Sequence, residues 1–266
     1  MGKLVFVLLF FSPCINLFSQ SNVTAHIYKK IDSISLDFKL YKPDSFNGNE
    51  KYSTVILFHG GGFNTRYENQ FRRHAKYFNS KNFISITPVY RVKSLHGTSA
   101  IESCDDAKDL IDYILLNAEK LNIDKNKIFV GGGSAGGLLA LSTTFWNVGS
   151  NIVKGLILYN PIVDTGPNSA FSKRRSGKYN LDISPIHNLD KNFPPSIIFH
   201  GSLDEMEPIN KIKKYKQTIQ EYGVRCDVIE YPGQGHSFFN SQEFFVKTSR
   251  EVDKFLSSLG LSLIHI

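Results

Sequence analysis

Short apolar runs alternate with longer amphipathic stretches along most of the chain. Residues 25–31 and 35–41 read as two strands joined by a turn at Asp32-Ser33. The run 54–58 is almost wholly apolar, as buried central strands are, and 83–89 and 128–130 are similar. Residues 155–159, 196–200 and 227–231 complete the strand set. Between them, 101–121 carries Ala107, Leu110, Ile111, Ile114, Leu115 and Ala118 at the three-four spacing of a packed helical face. Asp105, Asp106 and Asp109 lie in its early turns, where the helix dipole favours negative charge. Residues 138–146 read as a mostly buried helix, and 209–222 and 244–259 as amphipathic ones. Alternating strands and helices predict an α/β fold: a mostly parallel, twisted sheet of about eight strands with helices on both faces.

One stretch breaks the rhythm. Residues 160–195 have no clear helical period and contain Pro161, Pro167, Pro185, Pro194 and Pro195. A connection of that length inside a compact domain is usually functional. It is expected to form a short cap over a site at the sheet edge.

The two ends read differently from the middle. Lys3, the apolar run 4–11, the break at Ser12-Pro13 and the small or polar residues Ser19, Gln20 and Ser21 have the layout of a secretory signal peptide. The run is short for a membrane span, so residues 1–20 are expected to be removed and the protein exported, without stable membrane insertion. Residues 261–266, reading LSLIHI, match the in-frame translation of a sequencing-library adapter, which leaves 21–260 as the folded domain. With Cys14 in the leader, Cys104 and Cys226 remain. Cys104 is expected to start a helix at the upper end of the sheet and Cys226 a strand at its lower end, too far apart for a bridge.

Composition narrows the function classes. The formal net charge is +7, but Lys and Arg are scattered, and Lys173-Arg174-Arg175 is the longest cluster. No basic stretch is interleaved with aromatics, which argues against a nucleic-acid partner.

The chemistry concentrates at strand ends. Gly132-Gly133-Ser134-Ala135-Gly136 fits G-x-S-x-G between a strand and a helix, the setting in which a sharp turn exposes a nucleophilic serine. The run lacks the G-K-[ST] ending of a phosphate loop and the spacing of G-x-G-x-x-G. His59-Gly60-Gly61-Gly62-Phe63 follows the strand 54–58, and its glycines let backbone N–H groups turn into a pocket. Such donors stabilise an oxyanion by about 3–4 kcal/mol each where one has been removed. An orienting acid and then a histidine must follow the serine. Asp204 lies just after the strand 196–200, with Glu205 and Glu207 as rivals and Asp190 and Asp164 as weaker ones. His236 lies just after the last strand, whereas His200 and His187 are expected to be structural.

Together these segments resemble the α/β-hydrolase superfamily, and within it the esterase/lipase group with an HGGG motif. Val89-Tyr90-Arg91, Asp106-Ala107-Lys108, Asn122-Ile123-Asp124, Ser184-Pro185-Ile186 and Tyr231-Pro232-Gly233-Gln234-Gly235-His236 add to the resemblance. It implies Ser134 as nucleophile, His236 as base and Asp204 as acid. It also implies Gly61, Gly62 and the Ala135 N–H as oxyanion donors, with no metal or cofactor. The chain is also similar to exported esterases that remove acetyl or feruloyl groups from polysaccharide, so a small-molecule or carbohydrate ester is the expected substrate. Phe63 departs from the Trp that such proteins often carry there. Two other readings share the scaffold, a prolyl-oligopeptidase-like peptidase and a non-catalytic binder. The HGGG donors favour the ester reading over the first, and the complete set of site positions favours it over the second.

Overall fold

The structure is a computed structural model and describes residues 22–145, 152–174 and 177–261. The expected leader at 1–20, the residues 262–266 of the adapter-like tail, and Trp146 lie outside the described residues. β1 (Val23–Ile31) and β2 (Ile34–Tyr41) form an antiparallel hairpin around Asp32, whose φ is 49°. Then come β3 (Tyr52–Phe58), α1 (Arg72–Ser80), β4 (Ile84–Pro88), α2 (Lys93–His96), α3 (Ala100–Leu116), β5 (Ile123–Gly133) and α4 (Ala135–Phe145). β6 (Val153–Tyr159), α5 (Ala170–Lys173), β7 (Ser196–Gly201), α6 (Ile209–Glu221), β8 (Cys226–Tyr231) and α7 (Gln242–Ser258) complete the order.

The strands make one eight-stranded sheet in the order β1-β2-β4-β3-β5-β6-β7-β8. β2 runs antiparallel to both its neighbours, and every pairing from β4 through β8 is parallel. Alternation along the central strands divides the core between the two faces. Ile56, Phe58, Leu156 and Leu158 join the cluster that includes Leu110 and Ile111 of α3, Leu138 and Leu139 of α4 and Tyr215 of α6. Val55, Leu57, Ile157 and Tyr159 join Phe78 of α1 and Val252, Phe255 and Leu256 of α7. Both faces are therefore buried, which is why the strands read as continuous apolar runs. Among the described residues no helix is long and apolar enough to cross a membrane.

Besides the short α2 and α5, which were not expected, three helices differ from expectation. α1 was not expected, although His74, Ala75 and Phe78 form its buried face. Its other positions are strongly polar, so the three-residue stripe stands out poorly in the sequence. α3 ends at Leu116 rather than residue 121. The Asn117 side chain donates to the Tyr113 carbonyl at 2.9 Å and takes over the role of the next helical turn. α4 begins at Ala135 rather than residue 138. Gly136 and Gly137 are poor helix formers, but a Cβ at Gly136 would sit 2.1 Å from the Phe58 carbonyl oxygen, so close packing of α4 on β3 demands the glycine.

Asp106 lies in the early turns of α3, as expected, and is completely buried there. Arg91 donates to it from Nε (2.9 Å), Nη2 (2.8 Å) and its own backbone N–H (2.9 Å), and Lys29 Nζ lies 2.6 Å away. The pair gives physical content to the Val89-Tyr90-Arg91 and Asp106-Ala107-Lys108 segments, because it ties the chain leaving β4 to α3. Cys104 and Cys226 are both buried free thiols, the first in the early turns of α3 and the second at the start of β8.

Candidate active site

Five strand ends converge on one cleft. His59 follows β3, Ser134 follows β5, Asn160 follows β6, Asp204 lies three residues past β7, and His236 five residues past β8. The crevice beyond the carboxyl ends of parallel strands is where α/β folds place ligands.

Ser134 has φ 55°, in the left-handed region that a side-chain-bearing residue rarely occupies. Its N–H continues the sheet ladder by donating to the Tyr159 carbonyl at 2.9 Å, while its carbonyl already accepts the N–H groups of Gly137 and Leu138. One residue thus ends a strand and starts a helix, and the strained turn lifts the hydroxyl into the cleft. Ser134 Oγ lies 2.8 Å from His236 Nε2. His236 Nδ1 lies 2.8 Å from Asp204 Oδ2. The three side chains expected from the sequence therefore form one continuous hydrogen-bonded line. An imidazole held this way can take a proton from the hydroxyl while the carboxylate fixes its tautomer.

Asp204 is almost fully buried, yet every nearby polar group favours its charge. Burial pushes its carboxyl up, but contacts with His236, the Glu207 N–H and His200 outweigh that and leave it below the ordinary aspartate range. Oδ1 accepts from the N–H groups of Met206 (2.8 Å) and Glu207 (3.1 Å), and Oδ2 also accepts from Asn160 Nδ2 at 2.8 Å. Asn160 is a supporting residue the sequence reading placed only as the first residue of the cap. Its position directly after a central strand is the signal that could have found it.

The rival groups are engaged elsewhere. Glu205 is exposed, and Asp190 caps its own turn by accepting from Asn192 N–H at 2.7 Å. Asp164 accepts from Lys211 Nζ at 2.9 Å. Glu207 is buried, and burial followed by the neighbouring Asp164 charge pushes its carboxyl up to about 8. His200 is wholly buried, burial lowers its imidazole below the ordinary histidine range, and its Nε2 donates to the Glu207 carbonyl at 2.7 Å. His187 sits in the cap, with Nδ1 2.8 Å from Ser184 Oγ.

The glycine loop forms the opposite wall. Gly61, Gly62 and Phe63 have φ of 115°, 62° and 61° in succession, so the backbone turns sharply. A Cβ at Gly61 would sit 2.1 Å from the Thr65 carbonyl oxygen, which restricts that position to glycine. Two side chains hold the loop. The Gly60 N–H donates to Gln70 Oε1 at 2.6 Å, and the buried Tyr90 hydroxyl donates to the His59 carbonyl at 2.7 Å. Tyr90 also stacks on His59 at 4.3 Å between ring centroids. Burial lowers the His59 imidazole to about 4, so it is neutral at physiological pH. Gly61 and Gly62 line the cleft beside Ser134, and Ala135 occupies the first position of α4, ahead of any intrahelical acceptor for its N–H.

The cleft has a volume of about 1610 Å³. Ile162, Phe171 and Ile183, all from the region expected to form the cap, line it together with Phe63. Phe63 meets Phe171 edge-on at 6.2 Å between centroids, so the residue that departs from the family's Trp packs against the cap. Among the described residues no group of three His, Cys, Asp or Glu could hold a metal ion.

Known proteins are similar to this chain in sequence and fold. The BD-FAE family model matches residues 38–156. The apo form of Thermogutta terrifontis esterase 2 is 30% identical and superposes with a TM-score of 0.83, covering 92% of this chain and 97% of that one. A propionate-bound structure of that esterase is 29% identical with a TM-score of 0.82, covering 90% of this chain and 95% of the other. The acylamino-acid-releasing enzyme 1 of Oryza sativa subsp. japonica is 24% identical over 222 residues, which are 72% of this chain and 28% of that protein. The chain spans about a quarter of the length of the curated relatives it matches. The chain belongs to the α/β-hydrolase superfamily, among its esterase-type, carboxylesterase-like serine hydrolases.

Proposed function

We propose that this protein hydrolyses short-acyl carboxylic esters through a covalent intermediate on Ser134. The observation that carries the proposal is the unbroken line from Asp204 through His236 to Ser134, at the floor of a cleft flanked by the glycine loop. His236 takes the hydroxyl proton as Oγ attacks the ester carbonyl. Negative charge then develops on the carbonyl oxygen, facing the N–H groups of Gly61, Gly62 and Ala135. His236 returns the proton to the departing alcohol, and water repeats the sequence on the acyl-enzyme.

The apolar floor of Phe63, Ile162, Phe171 and Ile183 suits a small acyl group. The solved esterase with propionate bound supports the same size class. Acetyl or feruloyl groups on carbohydrate are the natural substrates under this reading. Export through the 1–20 segment, with 21–260 as the catalytic domain and 160–195 as its cap, belongs to the same proposal.

A profile of kcat/KM across 4-nitrophenyl acetate, butyrate and octanoate, acetylated xylan and methyl ferulate tests it. The short aryl esters and at least one carbohydrate ester should be turned over, with octanoate the poorest aryl ester. A second reading, peptidase activity, is favoured by the likeness to the acylamino-acid-releasing enzyme. Turnover of an acyl-amino-acid amide with none of any ester would decide for it.

A further inference from the structure

The rim of the cleft differs in charge from its floor. Five charged side chains line the cleft, and four of them, Arg66, Lys93, Arg174 and Lys178, are cationic. Glu68 is the one anion, and it is held by Arg66 at 2.7 Å and faces Lys39 at 3.5 Å. Lys93, Arg174 and Lys178 make no ion pair with a carboxylate among the described residues. Arg174 donates from Nη2 to the Glu205 backbone carbonyl at 2.7 Å, which aims the guanidinium without neutralising it. Elsewhere lysines divide between paired ones, such as Lys108 with Asp112 and Lys247 with Glu243, and unpaired ones, so it is their gathering at one opening that sets Lys93, Arg174 and Lys178 apart. Two exposed tyrosines, Tyr67 (55%) and Tyr179 (54%), line the same opening and offer ring faces.

We propose that Lys93, Arg174 and Lys178 form a subsite for a negatively charged group, a carboxylate, carried on the alcohol side of the ester. This rests on the esterase reading above. The alcohol side follows from position. The apolar floor around Ser134 takes the acyl group, so the larger part of the substrate extends toward the open rim, where the three cations lie. A carboxylate there gains three unpaired positive charges at little desolvation cost, and focusing by the cleft walls strengthens the attraction.

A matched ester pair tests the proposal. 4-Acetoxybenzoate carries the carboxylate on its leaving group, and 4-acetoxybenzamide is its neutral counterpart. At low ionic strength kcat/KM should favour the anionic ester by roughly three- to ten-fold, the scale of a few exposed charge pairs, and the ratio should approach one near ~1 M salt. In Lys93→Gln/Arg174→Gln/Lys178→Gln the low-salt ratio should fall to about one. Removing the same charge away from the cleft, in Lys125→Gln/Lys214→Gln/Lys216→Gln, should leave the ratio where it was. A ratio at or below one in the native protein overturns the subsite, as does an equal drop in the remote variant, which would assign the preference to net charge. Binding of 4-hydroxybenzoate and 4-hydroxybenzamide to Ser134→Ala, measured by calorimetry, is independent of turnover. Tighter binding of the anion supports the subsite, and equal binding overturns it. Turnover of the neutral ester without an anionic preference would leave the esterase reading standing and remove only this inference.

Discussion

The floor and the rim of the cleft are built on opposite principles. At the floor one line of side chains is hydrogen-bonded end to end: Ser134 with His236, His236 with Asp204, and Asp204 with Asn160 and two backbone N–H groups. At the rim, Lys93, Arg174 and Lys178 have no carboxylate partner among the described residues, and two tyrosines stand open. A continuous hydrogen-bonded line holds its members in place, and fixed positions are what proton transfer requires. Unsatisfied groups beside it are free to engage something that arrives. Under the proposed function, the floor sets the reaction and the rim selects what undergoes it.

Within the floor the same contrast recurs between two carboxyls of one loop. Asp204 and Glu207 are both buried, yet burial wins only at Glu207, which is raised to about 8 while Asp204 is lowered. The difference lies in their neighbours. Asp204 receives several hydrogen bonds, while Glu207 faces the charge of Asp164 and keeps one carboxyl oxygen without a partner.

Breaking the floor should have the largest effect. Asp204→Asn is expected to lower kcat by about 10⁴-fold with little change in KM, because the amide stabilises the wrong tautomer of His236. Stopped-assay kinetics on 4-nitrophenyl acetate measure it, and a loss confined to KM would show that Asp204 belongs to recognition. The next effect falls where floor and rim are joined. Arg91 sits two residues before Lys93 at the start of α2, and its buried pair with Asp106 holds that segment. Asp106→Ala should cost about 3–5 kcal/mol in urea unfolding, since it removes a wholly buried carboxylate and leaves the largely covered Arg91 guanidinium without its ion-pair partner. A loss under about 1 kcal/mol would mean that the segment is held by other contacts.

The smallest effect concerns pH. Glu207 binds its proton more tightly folded than unfolded, so its contribution to stability is fully present below about 4.5 and is lost as pH rises to about 8. Glu207→Gln should therefore stabilise the protein by on the order of a few kcal/mol at pH 8, with the gain vanishing near pH 4. Thermal unfolding at the two pH values checks this, and a pH-independent difference would place the cause in packing.

The candidate site residues stood out because Ser134 and Asp204 each follow a strand that ends in an unbroken buried run, while His236 follows the last strand signal, the only partly buried β8. Ser134, Asp204 and His236 could be placed by order alone, and the strand set by its uninterrupted burial. What supports them was less legible. Asn160 reaches Asp204 across 44 residues, and Arg91 reaches Asp106 between two elements, contacts that no local period encodes. α1 was missed because only two of its three buried positions, Ala75 and Phe78, are apolar, the third being His74. The rim was invisible for a different reason. Scattered lysines read as ordinary surface until the fold gathers Lys93 and Lys178 at one opening.

The central claim is that Ser134 is the nucleophile. Labelling with a fluorophosphonate followed by peptide mass spectrometry tests it most directly, alongside hydrolysis of 4-nitrophenyl acetate by native protein and Ser134→Ala. The account predicts one adduct, on Ser134, and a loss of about 10⁶-fold in kcat for the folded variant. Ester hydrolysis that persists in Ser134→Ala, or an adduct on another residue, would contradict it.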